Sequence, residues 1–177
     1  MPRRASPTCA CLSCQTLCPM SVALRAATAE DAVHVAEVLL SSRKAFLPSA
    51  SSAHTDAEVR QWVRDVLIPS GGVTVACSGA SIVGVLATAR EAGISWLNQL
   101  YLLPTHVGQG IGARLLDHAV SSLPLPVRLY TFQTNLRARS FYERHGFKAI
   151  EFTDGSANEE RRPDVLYELA SSVSVAA

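Results

Sequence analysis

A β-rich run from Ile94 to Leu103 stops at Pro104, passes through Gly108-Gln109-Gly110-Ile111-Gly112, and continues as a helical stripe of Ile111, Leu115, Leu116, Ala119 and Val120. Such a passage requires a strand to hand over to a helix inside one glycine turn, which excludes all-α and all-β folds. A helix start presents unpaired backbone N–H groups and the positive end of its dipole. Glycines let an anion approach that backbone, so a diphosphate fits here. A tight βα turn with glycines serving only packing is the simpler alternative. A P-loop would need Lys-Ser/Thr after the turn, and none follows. A dinucleotide fingerprint would sit on the first strand of its unit, with an acid ending the next strand. Here the turn comes after several strands, and no acid ends Val127 to Phe132.

The flanking pattern supplies the layers. Val22 to Arg25 reads as a strand, and Thr28-Ala-Glu-Asp31 as a helix entry followed by Ala32, Val35, Ala36 and Leu39 on one face. A Ser/Ala-rich loop spans 48–54. Thr55-Asp-Ala-Glu58 is a capping box ahead of a second stripe, Val59, Trp62, Val63 and Val66, which ends at Pro69-Ser-Gly-Gly72. Val73 to Cys77 and Ile82 to Ala89 are strands joined by Ser78-Gly79-Ala80-Ser81, and Arg90-Glu-Ala-Gly93 turns into the strand from Ile94. Val127 to Phe132 is a further strand. Asn135 to His145 reads as a helix with Asn135 as cap and Gly146 beyond its end. Phe147 to Phe152 and Val165 to Leu169 complete the pattern. The expected fold is α/β: a single mixed, mostly antiparallel sheet flanked by helices. By alternation, Trp96 and Tyr101 are expected on opposite faces of their strand, one of them lining a pocket.

At 177 residues, with 48% hydrophobic and 18% charged residues, the chain has material for one domain that needs no metal or disulfide to fold. A net charge of +1 offers no field to collect nucleic acid or an acidic membrane surface, so neither is expected as a partner. Four of the five cysteines, Cys9, Cys11, Cys14 and Cys18, fall in the first twenty residues, and Cys77 reads as a buried free thiol. The body therefore reads as a reduced, cytoplasmic protein. No second knuckle accompanies the early cysteines, and His34, His54, His106, His118 and His145 have no ligand spacing, so no metal is expected. Residues 1–20 read as a disordered Cys/Pro-rich extension, or as sequence ahead of a true start at Met20. Residues 21–170 read as the domain, and 171–177 as a frayed tail.

A second block strengthens the first. Asn135, Ala138, Phe141, Tyr142, Gly146 and Phe147 match Asn-x-x-Ala-x-x-Phe-Tyr-x-x-x-Gly-Phe some twenty residues after the glycine turn. The two blocks in this order resemble the GCN5-related N-acetyltransferase (GNAT) family over about residues 21–170, and the stretch 158–169 resembles a small bacterial branch of it. The family's turn reads [QR]-x-x-G-x-[GA]; Gly110 and Gly112 fit it, whereas Val107 stands where Gln or Arg is usual.

The resemblance implies transfer of an acetyl group from acetyl-CoA, a cosubstrate, to a primary amine of a small molecule or peptide. It implies a cradle for the pyrophosphate from the backbone of Gly108, Gln109, Gly110, Ile111 and Gly112. It places backbone groups of Leu102 and Leu103 along the pantetheine arm, with an N–H near Leu102 as oxyanion donor. Asn135 would touch the cofactor, and Tyr142 would both touch it and protonate the departing thiolate. No general base is visible: Asn98 and Gln99 stand where relatives carry an acid, while Glu159 and Glu160 are candidate amine anchors or a solvated charge run. Two other functions stay open, an acyltransferase using a longer acyl-CoA and a non-catalytic acyl-CoA sensor. A homodimer is possible.

Overall fold

A computed structural model describes residues 22–46 and 53–170. The expectations for residues 1–20 and 171–177, and most of the loop 48–54, lie outside the described residues.

The described chain runs β1 (Val22–Ala26), α1 (Ala32–Phe46), α2 (Asp56–Trp62), β2 (Val73–Ser78), β3 (Ser81–Glu91), β4 (Ile94–Leu102), α3 (Ile111–Ser122), β5 (Val127–Phe132), α4 (Leu136–Arg144), β6 (Lys148–Phe152) and β7 (Asp164–Leu169). The strands form one seven-stranded sheet in the order β1-β2-β3-β4-β5-β7-β6. Every neighbouring pair is antiparallel except β4 and β5. This is the expected mixed sheet, with the helices on both faces.

Two cores follow from the pleat. On one face Leu86 and Leu97 pack with Leu115, Leu116, Tyr142 and Phe147 of the α3/α4 layer. On the other, Val85 and Ala87 pack with Val35, Leu39, Val59 and Val63 of the α1/α2 layer. Burying side chains of this size contributes about 1.5–3 kcal/mol each.

Two of the local irregularities change which residues face the core or the gap. The residues after α2, Val63–Leu67, form one π-helical turn, with Ile68 N–H bonded to the Val63 carbonyl. The wider turn brings Leu67 into the core and leaves Val66 exposed, so the expected stripe holds only as far as Val63. In β4 the pairing jumps from Thr88↔Leu97 to Ala87↔Gln99, so Asn98 is an extra residue. A bulge of this kind reverses the alternation beyond it. Trp96, opposite Ala89, and Tyr101, opposite Val85, therefore share the α1/α2 face, which corrects the expectation of opposite faces.

The parallel pair β4/β5 is short. It is paired only at Ser95↔Val127 and Trp96↔Arg128, after which the strands diverge. That gap in the middle of the sheet positions everything described next.

Candidate active site

The glycine turn forms one side of the gap. After β4, Pro104–His106 make a single 3₁₀ turn. Gly108 and Gly110 then adopt φ of +85° and +77°, a conformation that L side chains resist. A Cβ at either would meet nothing within 4 Å, so backbone shape, not crowding, calls for glycine there. Gly110 immediately precedes α3, whose first N–H groups have no partner within the helix. The side chain of Ile111 is buried in the core, and that of Gln109 folds back so that its Nε2 donates to the Thr105 carbonyl at 3.0 Å. Only their backbone groups remain for a ligand. Val107, Gly108, Gly110 and Gly112 line a cavity of about 400 Å³.

The exposed edge of β4 forms the floor. The N–H of Leu103 donates to the Val83 carbonyl at 2.9 Å, and its own carbonyl accepts from His106 N–H at 2.9 Å. Both polar groups of Leu103 are thus engaged inside the fold, which removes it from the expected cofactor contacts. Bonded and non-bonded pairs alternate in an antiparallel ladder, so Tyr101 shares the orientation of Leu103 toward β3. Leu100 and Leu102 turn their N–H and C=O groups the other way, into the gap beyond the last β5 rung. Leu102 is seated there by Gly84, where a Cβ would stand 2.6 Å from Leu102 Cδ2.

Helix α4 forms the opposite wall. Asn135 caps it, its side-chain oxygen accepting from Ala138 N–H at 3.1 Å. Ala138 and Tyr142, four apart, present one face to the gap. Tyr142 is 7% exposed, and its hydroxyl has no hydrogen-bond partner among the described residues. Burial raises its pKa well above the ordinary tyrosine value, with nearby Tyr101 adding to the effect, so the phenol keeps its proton throughout the neutral range.

A second cavity, about 450 Å³, opens on the β5/β7 side. The two cavities share Leu100, Tyr101, Asn135, Ala138 and Tyr142. Tyr142 and the free edge of β4 therefore stand where a molecule in one cavity would meet a molecule in the other. The second cavity is also lined by Asn98, Tyr130, Phe132, Asn158, Glu160, Asp164 and Arg43. Glu160 is paired with Arg43 at 2.6 Å, whereas Glu159 lies on the exposed side against His54 at 2.9 Å. Gln99 lines neither cavity. Arg43, Tyr130, Asn158 and Asp164 were not anticipated. They reach the cavity from α1, β5, β7 and the loop before β7, and no sequence spacing links those elements. Among the described residues, no three His, Cys, Asp or Glu side chains cluster in a way that could hold a metal. No described helix is long and apolar enough to cross a membrane.

These features fit a coenzyme A thioester. An open glycine turn at a helix start suits its diphosphate, a free strand edge its amide-bearing arm, and a proton-bearing phenol its sulfur. Comparison with known proteins bears on the family and the fold. Residues 69–149 match the family described as acetyltransferase (GNAT) domain. YjaB from Escherichia coli, solved in its apo form, superposes with a TM-score of 0.70 at 21% identity, covering 86% of this chain and 100% of that one. The PaiA N-acetyltransferase of Thermoplasma acidophilum, solved with coenzyme A, gives 0.68 at 24%, covering 86% and 100%. Naa50 of Arabidopsis thaliana, solved with the bisubstrate analogue CoA-Ac-MVNAL, gives 0.65 at 20%, covering 85% and 99%. No functionally curated protein matches the sequence. The two motif blocks and the split sheet agree with the matched domain: residues 69–149 carry the match to the GNAT acetyltransferase domain, and the chain has the fold of the GNAT acetyltransferases.

Proposed function

We propose that the protein is an N-acetyltransferase that moves an acetyl group from acetyl-CoA directly to a primary amine. The observation that carries this reading is the meeting of the two cavities at Tyr142 and the unpaired edge of β4. When bound, acetyl-CoA supplies an activated thioester. The chain's own groups then have three tasks. The backbone N–H groups of residues 108–112 hold the diphosphate, with the α3 dipole behind them. The N–H of Leu102, with that of Leu100 beside it, receives the carbonyl oxygen as charge develops on it. The hydroxyl of Tyr142 donates its proton to the departing sulfur. With no partner among the described residues, the hydroxyl has that proton free to give, and burial discourages premature ionisation.

The shared wall contains no carboxylate or histidine, so the amine loses its proton elsewhere, to water or to a group in the second cavity. The same fact supports a second reading, an acyl-CoA sensor without turnover. Release of free CoA with a panel of primary amines tests both. Turnover establishes the transferase; CoA binding with no turnover of any amine replaces it with the sensor. Acetyl-CoA against longer acyl-CoA donors in the same assay decides the acyl group.

A further inference from the structure

The second cavity holds a buried carboxylate without a cation. Asp164, the first residue of β7, is 8% exposed and lines that cavity. Its Oδ1 accepts from the Thr153 hydroxyl and its Oδ2 from Asn158 Nδ2 at 2.8 Å. Both donors are neutral, and no lysine, arginine or histidine among the described residues forms an ion pair with it. A buried charge is costly unless a counter-charge meets it. The cavity's other acid, Glu160, is already neutralised by Arg43, so one negative charge is left over.

Asp164 also pins the loop before β7, and that role uses only part of it. Each carboxylate oxygen has two acceptor positions, and Thr153 and Asn158 occupy one apiece. Two positions remain, and Tyr130 and Phe132 line the same cavity as Asp164, with ring faces of the kind that suits a cation.

The place of Asp164 decides which cation. It lines the second cavity but not the wall shared with the first, where the acetyl group has to be handed over. An amine reacting at Tyr142 is therefore not the group that Asp164 holds. Resting on the transferase reading above, we infer that the acceptor is a diamine or polyamine whose second, non-reacting ammonium group is bound by Asp164.

Kinetics of the wild-type protein with butylamine and 1,4-diaminobutane at saturating acetyl-CoA test the inference. The diamine should show a kcat/KM about tenfold higher, beyond the roughly twofold that two equivalent nitrogens give by statistics. Asp164→Asn should lower the diamine value about tenfold and leave butylamine within about twofold, with the CoA-induced thermal shift retained as proof of folding. Equal kcat/KM for the two amines in the wild type overturns the inference. So does an equal loss on both amines in the variant, which would assign Asp164 to the reacting nitrogen or to the loop alone. If Asp164→Asn does not fold, the wild-type comparison decides by itself. Calorimetric titration of each amine into CoA-loaded wild-type protein separates the site from the reaction. Binding of the diamine alone, with neither amine turned over, keeps the cation site and removes the transferase. Turnover of both amines without preference, or failure of the diamine to bind, removes the cation site.

Discussion

Trp96 lies flat on Tyr130, ring centroids 5.8 Å apart and planes 8° from parallel. The stack joins β4 to β5 immediately beyond their last rung, Trp96↔Arg128, so it stands at the point where the sheet opens. Tyr130 lines the second cavity and Trp96 supports it from behind. Trp96→Ala should lower stability by about 1–3 kcal/mol, combining the lost stack with the lost burial. It should raise KM for the acceptor amine several-fold and leave CoA affinity unchanged, because the cofactor cavity touches neither ring. Chemical denaturation and separate titrations of the two substrates check this, and a weakened CoA complex would contradict the division into two cavities.

Tyr142→Phe isolates one hydroxyl. The hydroxyl bonds to nothing among the described residues, so its removal should leave stability unchanged or slightly raised. The fall in kcat should be about 10²-fold or more, with little change in KM for acetyl-CoA, in the range of general acid–base catalysis. Single-turnover measurements that reach the chemical step provide the check. A variant with near-wild-type chemistry would remove Tyr142 from the reaction.

The glycine turn, the Asn135 cap and the Ala138/Tyr142 face were legible because each rests on local spacing. Such spacing sets backbone shape before any tertiary contact forms. What was not legible depends on pairing between distant segments. Trp96 and Tyr101 share a face only because Asn98 is an extra residue against β3, and a bulge leaves no mark in residue alternation. Leu103 was placed on the cofactor edge, yet its N–H is taken by Val83, twenty residues earlier in the chain. Val66 and Leu67 exchange places through one wide helical turn that periodicity does not announce. The acceptor wall was the least visible. Arg43 and Glu160 are 117 residues apart, and only the closed sheet brings them to 2.6 Å.

Asp31 gives the fold a pH dependence. It accepts from Arg25 Nη1 at 2.6 Å and Nη2 at 2.8 Å, and from Thr28 N–H at 2.7 Å, tying β1 to the entry of α1. The Arg25 guanidinium, followed by the Thr28 bonds, holds its carboxyl far below the ordinary 3.8, against the opposing effect of burial. A depressed carboxyl pKa stabilises the fold above the unfolded-state value, and that stability is lost as pH falls through the folded one. Asp31→Asn should therefore cost about 1–2 kcal/mol at pH 7, comparable to a lost helix cap. The gap from wild type should be constant down to about pH 5 and shrink below about pH 4. Urea unfolding across that range tests the sign, and a gap that grows in acid would refute it.

Gly110 separates backbone strain from ligand repulsion. Its φ is +77° and the space around it is open. Gly110→Ala should cost about 1–2 kcal/mol of strain and still bind CoA measurably. Gly110→Asp adds a negative charge where the diphosphate is placed. At a ligand concentration of 100 Kd, CoA should raise wild-type stability by about 2.7 kcal/mol, and that rise should vanish in Gly110→Asp. An undiminished CoA-induced shift in the aspartate variant would move the diphosphate away from this turn.

Val107 sets the strength of that grip. Val107 lines the first cavity, so an arginine there would stand close to a diphosphate held as proposed. A valine side chain offers a diphosphate no hydrogen bond, so on the proposed reading holding would fall to the backbone N–H groups and the helix dipole, with Arg137 and Arg144 also lining the cavity. Arg137 is partly committed, lying 5.1 Å over the Phe46 ring, and Arg144 donates to Ser140 Oγ at 2.7 Å. A new arginine in the turn would add charge-assisted bonds that neither is placed to replace. Val107→Arg should tighten CoA by about 0.5–1.5 kcal/mol, roughly 2- to 12-fold, because solvent screening at a partly exposed site limits the gain. The gain should shrink as salt rises, since the Debye length falls from about 10 Å at 0.1 M to about 3 Å at 1 M. Dephospho-CoA, which lacks the 3′-phosphate but keeps the diphosphate, should gain as much as CoA. Calorimetric titration of both ligands at low and high salt resolves these contributions. A gain confined to CoA would place the 3′-phosphate beside residue 107, and no gain at low salt would remove the diphosphate from the turn.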